Sequence, residues 1–228
     1  MESKSLIVNF RSMLTFGLLK RVISSIFFVP AVFLSLYQEG VLIFILFIFF
    51  YIIILSELVK MHNTSRFKTL LYSYAIIATF SIIVFPYYVV ASGSHVPAFM
   101  TIFILIWIFD SFSYLGGNLF KGRKIFPKIS KGKTFSGLFS GIISVFFFNL
   151  LIFKFIFDYD LGNTMVISFS ICLFSFVGDA AVSILKRQSD LKDTGSLFIG
   201  HGGFLDRMDS FIAVIFIFII FNLLKFFS

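Results

Sequence analysis

Residues 186–209, KRQSDLKDTGSLFIGHGGFLDRMD, concentrate four acidic residues, four basic residues, one His and four Gly in 24 positions. Carboxylate oxygens suit a hard divalent cation such as magnesium, which shares its shell with phosphate oxygens and water. Lys and Arg suit the phosphates themselves. Asp206 and Asp209 are three apart at the start of an apolar run, so they share a face in its first turn, and either can cap it. His201 lies between Gly200 and Gly202-Gly203, which allow a tight backbone path beside a ligand. As a base, a phosphate donor or a structural hydrogen-bonder, it has three open roles. A cysteine-free set of Asp, Lys and Arg points to magnesium-assisted phosphoryl or nucleotidyl transfer rather than zinc or redox chemistry. The bland alternative is a charged topology loop with a helix cap.

A second polar stretch, GGNLFKGRKIFPKISKGKTFSG at 116–137, carries six basic residues with Ser130, Thr134 and Ser136. Glycine-rich backbone amides with Lys side chains can cradle phosphate oxygens. Gly132-Lys133-Thr134 matches only the end of a P-loop, so that motif is absent. Two further carboxylates, Asp110 and Asp179, fall inside apolar runs, where an ionisable group marks an internal, hydrated or paired site. Asp179 precedes Lys186 by seven residues, roughly 10 Å along a helix. Helix-to-helix ion pairing is the structural alternative for both. Glu57 ends an apolar run near Lys60 and His62, and suits an interfacial helix end at least as well as catalysis. His62 and His95 lack companions at metal-ligand spacing and read as surface histidines, and Trp107 reads as an interfacial anchor or a packing residue.

The elements that position these groups are membrane helices. Apolar residues make up 59% of 228 positions, and mean hydropathy is +1.03. This excludes an ordinary soluble domain and predicts an all-α polytopic membrane protein. Seven spans are expected, at 22–37, 40–56, 69–91, 96–115, 134–157, 161–185 and 210–227. The first is short and holds Pro30, and residues 5–19 read as either an amphipathic surface helix or a tail. Of 19 Lys and Arg residues, 17 lie on alternate connections, which predicts a cytoplasmic N-terminus, an external C-terminus and both polar loops in the cytoplasm. The same distribution accounts for the net charge of +8 without nucleic acid as a partner. The single Cys172 excludes a disulfide framework, and the opening residues carry no signal-peptide pattern. A bacterial cytoplasmic membrane is the expected location. Two regions are expected, 1–106 as an N-terminal helical anchor and 107–228 as the chemistry-bearing part.

At the polar residues the chain resembles the phosphatidate cytidylyltransferase (CDP-diacylglycerol synthase) family. The pattern S-x-x-K-R-x(4)-K-D-x-G followed by H-G-G-x-x-D-R-x-D is met by Ser183, Lys186, Arg187, Lys192, Asp193, Gly195, His201, Gly202, Gly203, Asp206, Arg207 and Asp209. Gly178-Asp179 matches as well. Upstream, D-S-x-x-Y-x-x-G and P-K-x-S-x-x-K-T are met by Asp110, Ser111, Tyr114, Gly117, Pro127, Lys128, Ser130, Lys133 and Thr134. The specific match covers about 107–210, and the N-terminal part adds mainly hydropathy and Arg21-Val22-Ile23-Ser24.

The resemblance implies transfer of CMP from CTP to phosphatidate, giving CDP-diacylglycerol and pyrophosphate for phospholipid synthesis. It implies Asp179 and Asp193 as metal ligands, Mg2+ beside a monovalent cation such as K+, and a homodimer. Lys186, Arg187, Lys192 and Arg207 become phosphate-holding candidates, Asp206 and Asp209 complete or orient the site, and His201 positions rather than abstracts a proton. Asp110, Ser111, Tyr114, Lys128, Ser130, Lys133 and Thr134 become candidates for the nucleotide side. Departures from the pattern are Val182 for Glu, Asn118 for a basic residue, Ser136 for an acidic or amide residue and Ile199 for Pro. The chain also has fewer expected spans than fuller members. Competing readings are a lipid kinase or another CTP-transferase acting on an isoprenoid lipid, and an anionic-solute transporter. The polar residues cluster towards one face and show no inverted repeat, which disfavours transport.

Overall fold

The computed structural model of the protein describes residues 34, 40–92, 96–156, 161–195 and 202–224. Among the described residues, six helices of more than one residue and one hairpin follow in order: α1 (Val41–Thr64), α2 (Lys68–Ser92), α3 (Val96–Phe120), β1 (Lys124–Phe126), β2 (Ser130–Thr134), α4 (Phe135–Ile156), α5 (Leu161–Gln188) and α6 (Leu205–Leu223). Among the described residues, Val41–Thr64, Lys68–Ala91, Phe99–Phe120 and Leu161–Gln188 are long and apolar enough to cross a membrane. Six of the seven expected spans fall on helices. The expected span 22–37, apart from residue 34, and the alternatives weighed for 5–19 lie outside the described residues.

The helices outrun the expected spans. α1 continues to Thr64 rather than stopping at 56, and α6 begins at Leu205 rather than 210. Hydropathy marks where hydrocarbon ends, whereas a helix continues until its backbone bonds are diverted. α5 shows the diversion: Ser189 N donates to Leu185 O at 3.1 Å, Leu191 N to Lys186 O at 2.8 Å, and Asp190 takes φ +54°. This left-handed stop is one that Asp tolerates.

One core joins helices from both ends of the chain. α1 buries Ile43, Phe47, Phe50, Ile54 and Met61, a stripe at helical spacing. Phe211 of α6 stacks on Phe103 of α3 at 4.3 Å, meets Phe85 of α2 edge-on at 5.6 Å and lies 6.2 Å from Phe47 of α1. Aromatic pairs of this kind add about 0.5–1.5 kcal/mol each beyond area burial. Phe211 therefore ties the first residues after the Asp206–Asp209 turn to three other helices.

Small residues set the remaining crossings. Gly137 and Gly141 of α4 face Ser113 of α3, and Gly116 of α3 faces Ser140 of α4. Close approach of this type stabilises helix pairs in lipid, where apolar side chains gain little by leaving the acyl chains. Asn149 Nδ2 donates to Ser168 Oγ at 2.6 Å and Thr164 O at 3.2 Å, joining α4 to α5. Gly178 of α5 lies under the Asp209 carbonyl, with Ala213 Cβ 2.8 Å from where its own Cβ would stand. Gly178→Leu is expected to cost about 1–3 kcal/mol or more by overpacking. A lowered thermal midpoint in detergent checks it, and an unchanged midpoint would contradict this packing.

A short hairpin is added to the expected all-α architecture. β1 pairs antiparallel with β2, Lys124 opposite Thr134 and Phe126 opposite Ser130. Pro127 and Lys128 start the turn, Ile129 N bonds back to Phe126 O at 3.2 Å, and Phe126 stacks on Phe176 of α5 at 5.9 Å. Two short strands are marginal alone, so the Phe126–Phe176 contact and the neighbouring helices hold them. Alternation is too brief here to register as a strand pattern.

Candidate active site

The hairpin and the adjoining ends of α3, α4, α5 and α6 enclose a cavity of about 370 Å³. Asp110 and Tyr114 come from α3, Ser130, Lys133 and Thr134 from β2, Asp179 and Lys186 from α5, and Asp206, Arg207 and Asp209 from α6. Two sequence segments separated by a full helix thus meet at one place. Ser111, Lys128, Arg187, Lys192 and Asp193 are not on its wall. His201 and Ile199 lie outside the described residues.

Lys133 Nζ lies 3.0 Å from Asp179 Oδ2, and 5.0 Å from the centre of the Phe176 ring. Lys133 is 14% exposed and Asp179 42%, so the carboxylate keeps an open side. Ser183 Oγ donates to Asp179 Oδ1 at 3.3 Å from one turn on. Ser210 Oγ donates to Asp110 Oδ1 at 3.4 Å and Ser175 O at 3.3 Å, while Ser210 N donates to Asp209 Oδ1 at 2.7 Å. Asp110, Asp179 and Asp209 therefore line one space. Like charges gathered there repel one another, and a cation relieves that repulsion.

Asp206 has a different part. Its Oδ1 accepts from Lys186 Nζ at 2.6 Å, and its Oδ2 accepts from Thr194 N at 2.9 Å and Gly203 N at 3.1 Å, with Thr194 Oγ1, whose one proton is shared with the nearer Glu57 Oε2, at 3.1 Å. Both oxygens are engaged, so Asp206 orients Lys186 and the loop around it. Gly202 has φ +83°, and an added Cβ would stand 2.8 Å from Asp206 Oδ2 and 3.2 Å from Asp193 Oδ1. Only glycine fits both constraints. Asp193, exposed, reaches this turn beside Asp206 rather than the cavity wall occupied by Asp179.

Several other candidates have visible structural work. Thr134 Oγ1 accepts from Gly137 N at 3.1 Å, which caps α4. Ser136 Oγ accepts from Gly122 N at 3.1 Å and bonds Thr134 Oγ1 at 3.1 Å, closing the hairpin onto α4. Arg187 donates from Nε to Ile129 O at 3.0 Å and from Nη1 to Leu191 O at 3.3 Å, clasping the hairpin turn to the end of α5. Val182 is wholly buried in the core and does not line the cavity, so its lack of a carboxylate removes no group from this wall. His62 Nε2 lies 2.8 Å from Tyr72 Oη across the α1–α2 turn, a packing contact.

Sequence reasoning missed the weight carried by Glu57. It is 2% exposed, and its carboxylate accepts from Thr194 Oγ1 at 2.7 Å, Phe204 N at 2.8 Å and Leu205 N at 2.9 Å. The start of α6 is thus capped from α1. No side chain at its own N-cap position, Phe204, does so. The one available signal was an acidic residue alone near the end of an apolar run.

Among the described residues, no three His, Cys, Asp or Glu side chains form a ready metal-ligand group. Magnesium does not need one, because it is commonly held by one or two carboxylates with water and substrate phosphates completing the shell. The partly open Asp179, with Asp110 and Asp209 on the same cavity and no Cys among them, fits that hard-oxygen demand.

Comparison with known proteins identifies the family. Residues 82–225 match the model of the Cytidylyltransferase family. A phosphatidate cytidylyltransferase of Rickettsia typhi is 32% identical over 199 residues, covering 84% of this chain and 86% of that protein. The Haemophilus influenzae protein of that name is 38% identical over 124 residues, which cover 50% of this chain and 41% of the relative. The corresponding figures for the Rickettsia felis protein are 40% identity over 121 residues, 50% and 53%. The alignments therefore span about half of the last two relatives and most of the first. By the family match over 82–225 and the Rickettsia typhi relative covered over most of its length, the chain belongs to the phosphatidate cytidylyltransferase family.

Proposed function

We propose that the protein transfers CMP from CTP to phosphatidate, forming CDP-diacylglycerol and releasing pyrophosphate. The observation that carries this reading is the convergence of Lys133, Asp179, Lys186 and Arg207 on one cavity at the end of a membrane bundle. A nucleotide needs a polar pocket and a diacylated phosphate needs hydrocarbon beside it. This position offers both.

In the proposed reaction a phosphate oxygen of phosphatidate attacks the α-phosphorus of CTP. The α–β bridging bond breaks, its electrons leave with pyrophosphate, and a new P–O–P bond joins CMP to the lipid phosphate. The phosphatidate anion is already a nucleophile, so no side chain has to remove a proton. Lys133, Lys186 and Arg207 neutralise phosphate charge, and an ammonium with three donors can keep its carboxylate partner and still meet a phosphate oxygen. Asp206 holds Lys186 in place. Asp179, with Asp110 and Asp209 alongside, is the proposed magnesium site, whereas Asp193, implied as a second ligand by the resemblance, stands at the neighbouring turn beside Asp206. Magnesium, when bound, supplies charge neutralisation on the triphosphate. His201 is assigned a positioning role, and K+ and a homodimer are further properties implied by the resemblance.

The proposed location is the bacterial cytoplasmic membrane with the cavity facing the cytoplasm, because the basic residues of 60–68, 121–133 and 186–207 lie on alternate connections. The test is formation of labelled CDP-diacylglycerol by purified protein in detergent–lipid micelles with CTP, phosphatidate and magnesium. Product that depends on all three components supports the reading. A well-folded protein that forms none across lipid and metal choices overturns it.

A further inference from the structure

Glu57 lies on α1, outside both signature loops, and its chain distance from its hydrogen-bond donors is 137 to 148 residues. A carboxylate with 2% exposure is costly unless its lone pairs are met, and three donors meet them. Two of the donors are backbone N–H groups at the opening of α6, where the helix dipole also favours a negative charge. The backbone is shaped around this carboxylate. A Cβ on Gly195 would stand 2.5 Å from Glu57 Oε1, and one on Gly203 would stand 2.5 Å from Oε2.

The contacts continue from Glu57 to the cavity. Thr194 donates its hydroxyl to Glu57 Oε2, its backbone N–H donates to Asp206 Oδ2 at 2.9 Å, and Asp206 Oδ1 holds Lys186 Nζ at 2.6 Å. Lys186 and Asp206 line the cavity, whereas Glu57 and Thr194 do not. We infer that Glu57 is a positioning residue for cytidylyl transfer, one that sets the Lys186–Asp206 pair and the first turn of α6 against the nucleotide through Thr194. This inference rests on the proposed CTP-dependent reaction.

The test compares Glu57→Gln, Thr194→Val and Thr194→Ser with wild type, all normalised to monodisperse, folded protein. Gln keeps the volume but can accept through only one atom, so at least one of the three donors is left unmatched. Val removes the hydroxyl, and Ser restores it. The readouts are kcat, KM for CTP, KM for phosphatidate and equilibrium binding of labelled CTP with magnesium. The expected result for Glu57→Gln is about a 10- to 100-fold loss in kcat/KM for CTP. KM for phosphatidate should hold steady, Thr194→Val should show a smaller loss in the same direction, and Thr194→Ser should stay near wild type. A purely structural role would lower the folded yield and leave the CTP parameters of the folded fraction unchanged, and that outcome overturns the inference. Wild-type CTP parameters in Thr194→Val overturn it too, even if Glu57→Gln fails to fold. Wild type that neither binds CTP nor forms product instead sinks the proposed reaction, and the inference falls with it.

Discussion

Asp179→Asn is expected to lower CDP-diacylglycerol formation by about 100- to 1,000-fold, the usual scale for losing one group that stabilises transition-state charge. Asn is nearly isosteric and can still accept from Ser183 Oγ, so the helix is undisturbed. What disappears is the negative charge on the open side of a 42% exposed carboxylate. The proposed magnesium site weakens, and Lys133 loses its counter-charge at 3.0 Å. The magnesium concentration needed for half-maximal rate should therefore rise, while the thermal midpoint changes by the equivalent of at most about 1 kcal/mol, because this pair is partly solvated. A magnesium titration of product formation, run beside thermal unfolding, separates the two effects. Wild-type turnover in Asp179→Asn would remove Asp179 from the mechanism.

Asp206→Ala should show the opposite pattern, with stability failing first. The Lys186–Asp206 pair is 2.6 Å apart with side chains only 15% and 12% exposed. Asp206 also satisfies Thr194 N and Gly203 N. Truncation leaves a desolvated ammonium and two backbone donors without that acceptor. Breaking a buried pair by removing one partner costs about 3–5 kcal/mol, a large fraction of ordinary folding stability. The measurement is the thermal midpoint in detergent together with the yield of monodisperse protein. A midpoint within a degree or two of wild type would contradict the assignment of Asp206 as a structural anchor. The Arg66–Asp190 pair is the internal control. Its 3.1 Å separation is similar in kind, but both side chains are 72% exposed. Arg66→Ala is accordingly expected to cost at most about 1 kcal/mol. Burial, rather than separation, decides the difference.

The polar residues that matter were legible, but their division of labour was not. Asp206 and Asp209 look equivalent in sequence, three apart before an apolar run. In the fold Asp206 spends both oxygens on Lys186 and the loop, whereas Asp209 faces Asp110 and Asp179 across the cavity. Thr134, a nucleotide-side candidate, lines the cavity and also caps α4, and Val182, a departure from the family pattern, is buried in the core. The hairpin at 124–134 escaped notice because three and five residues are too few for alternation to stand out, and its support comes from α5.

The sequence by itself determined the membrane-helical character, the placement of six helices, the two polar segments and the family. These follow from hydropathy and motif spacing, which are properties of neighbouring residues and need no knowledge of what packs where. Only the tertiary structure decided which carboxylates share a cavity, where Asp193 stands relative to Asp179, and what Glu57 holds. A hydrogen bond joining residues 137 to 148 positions apart leaves no local pattern, because the chain between them is constrained only by the helix packing it has to satisfy.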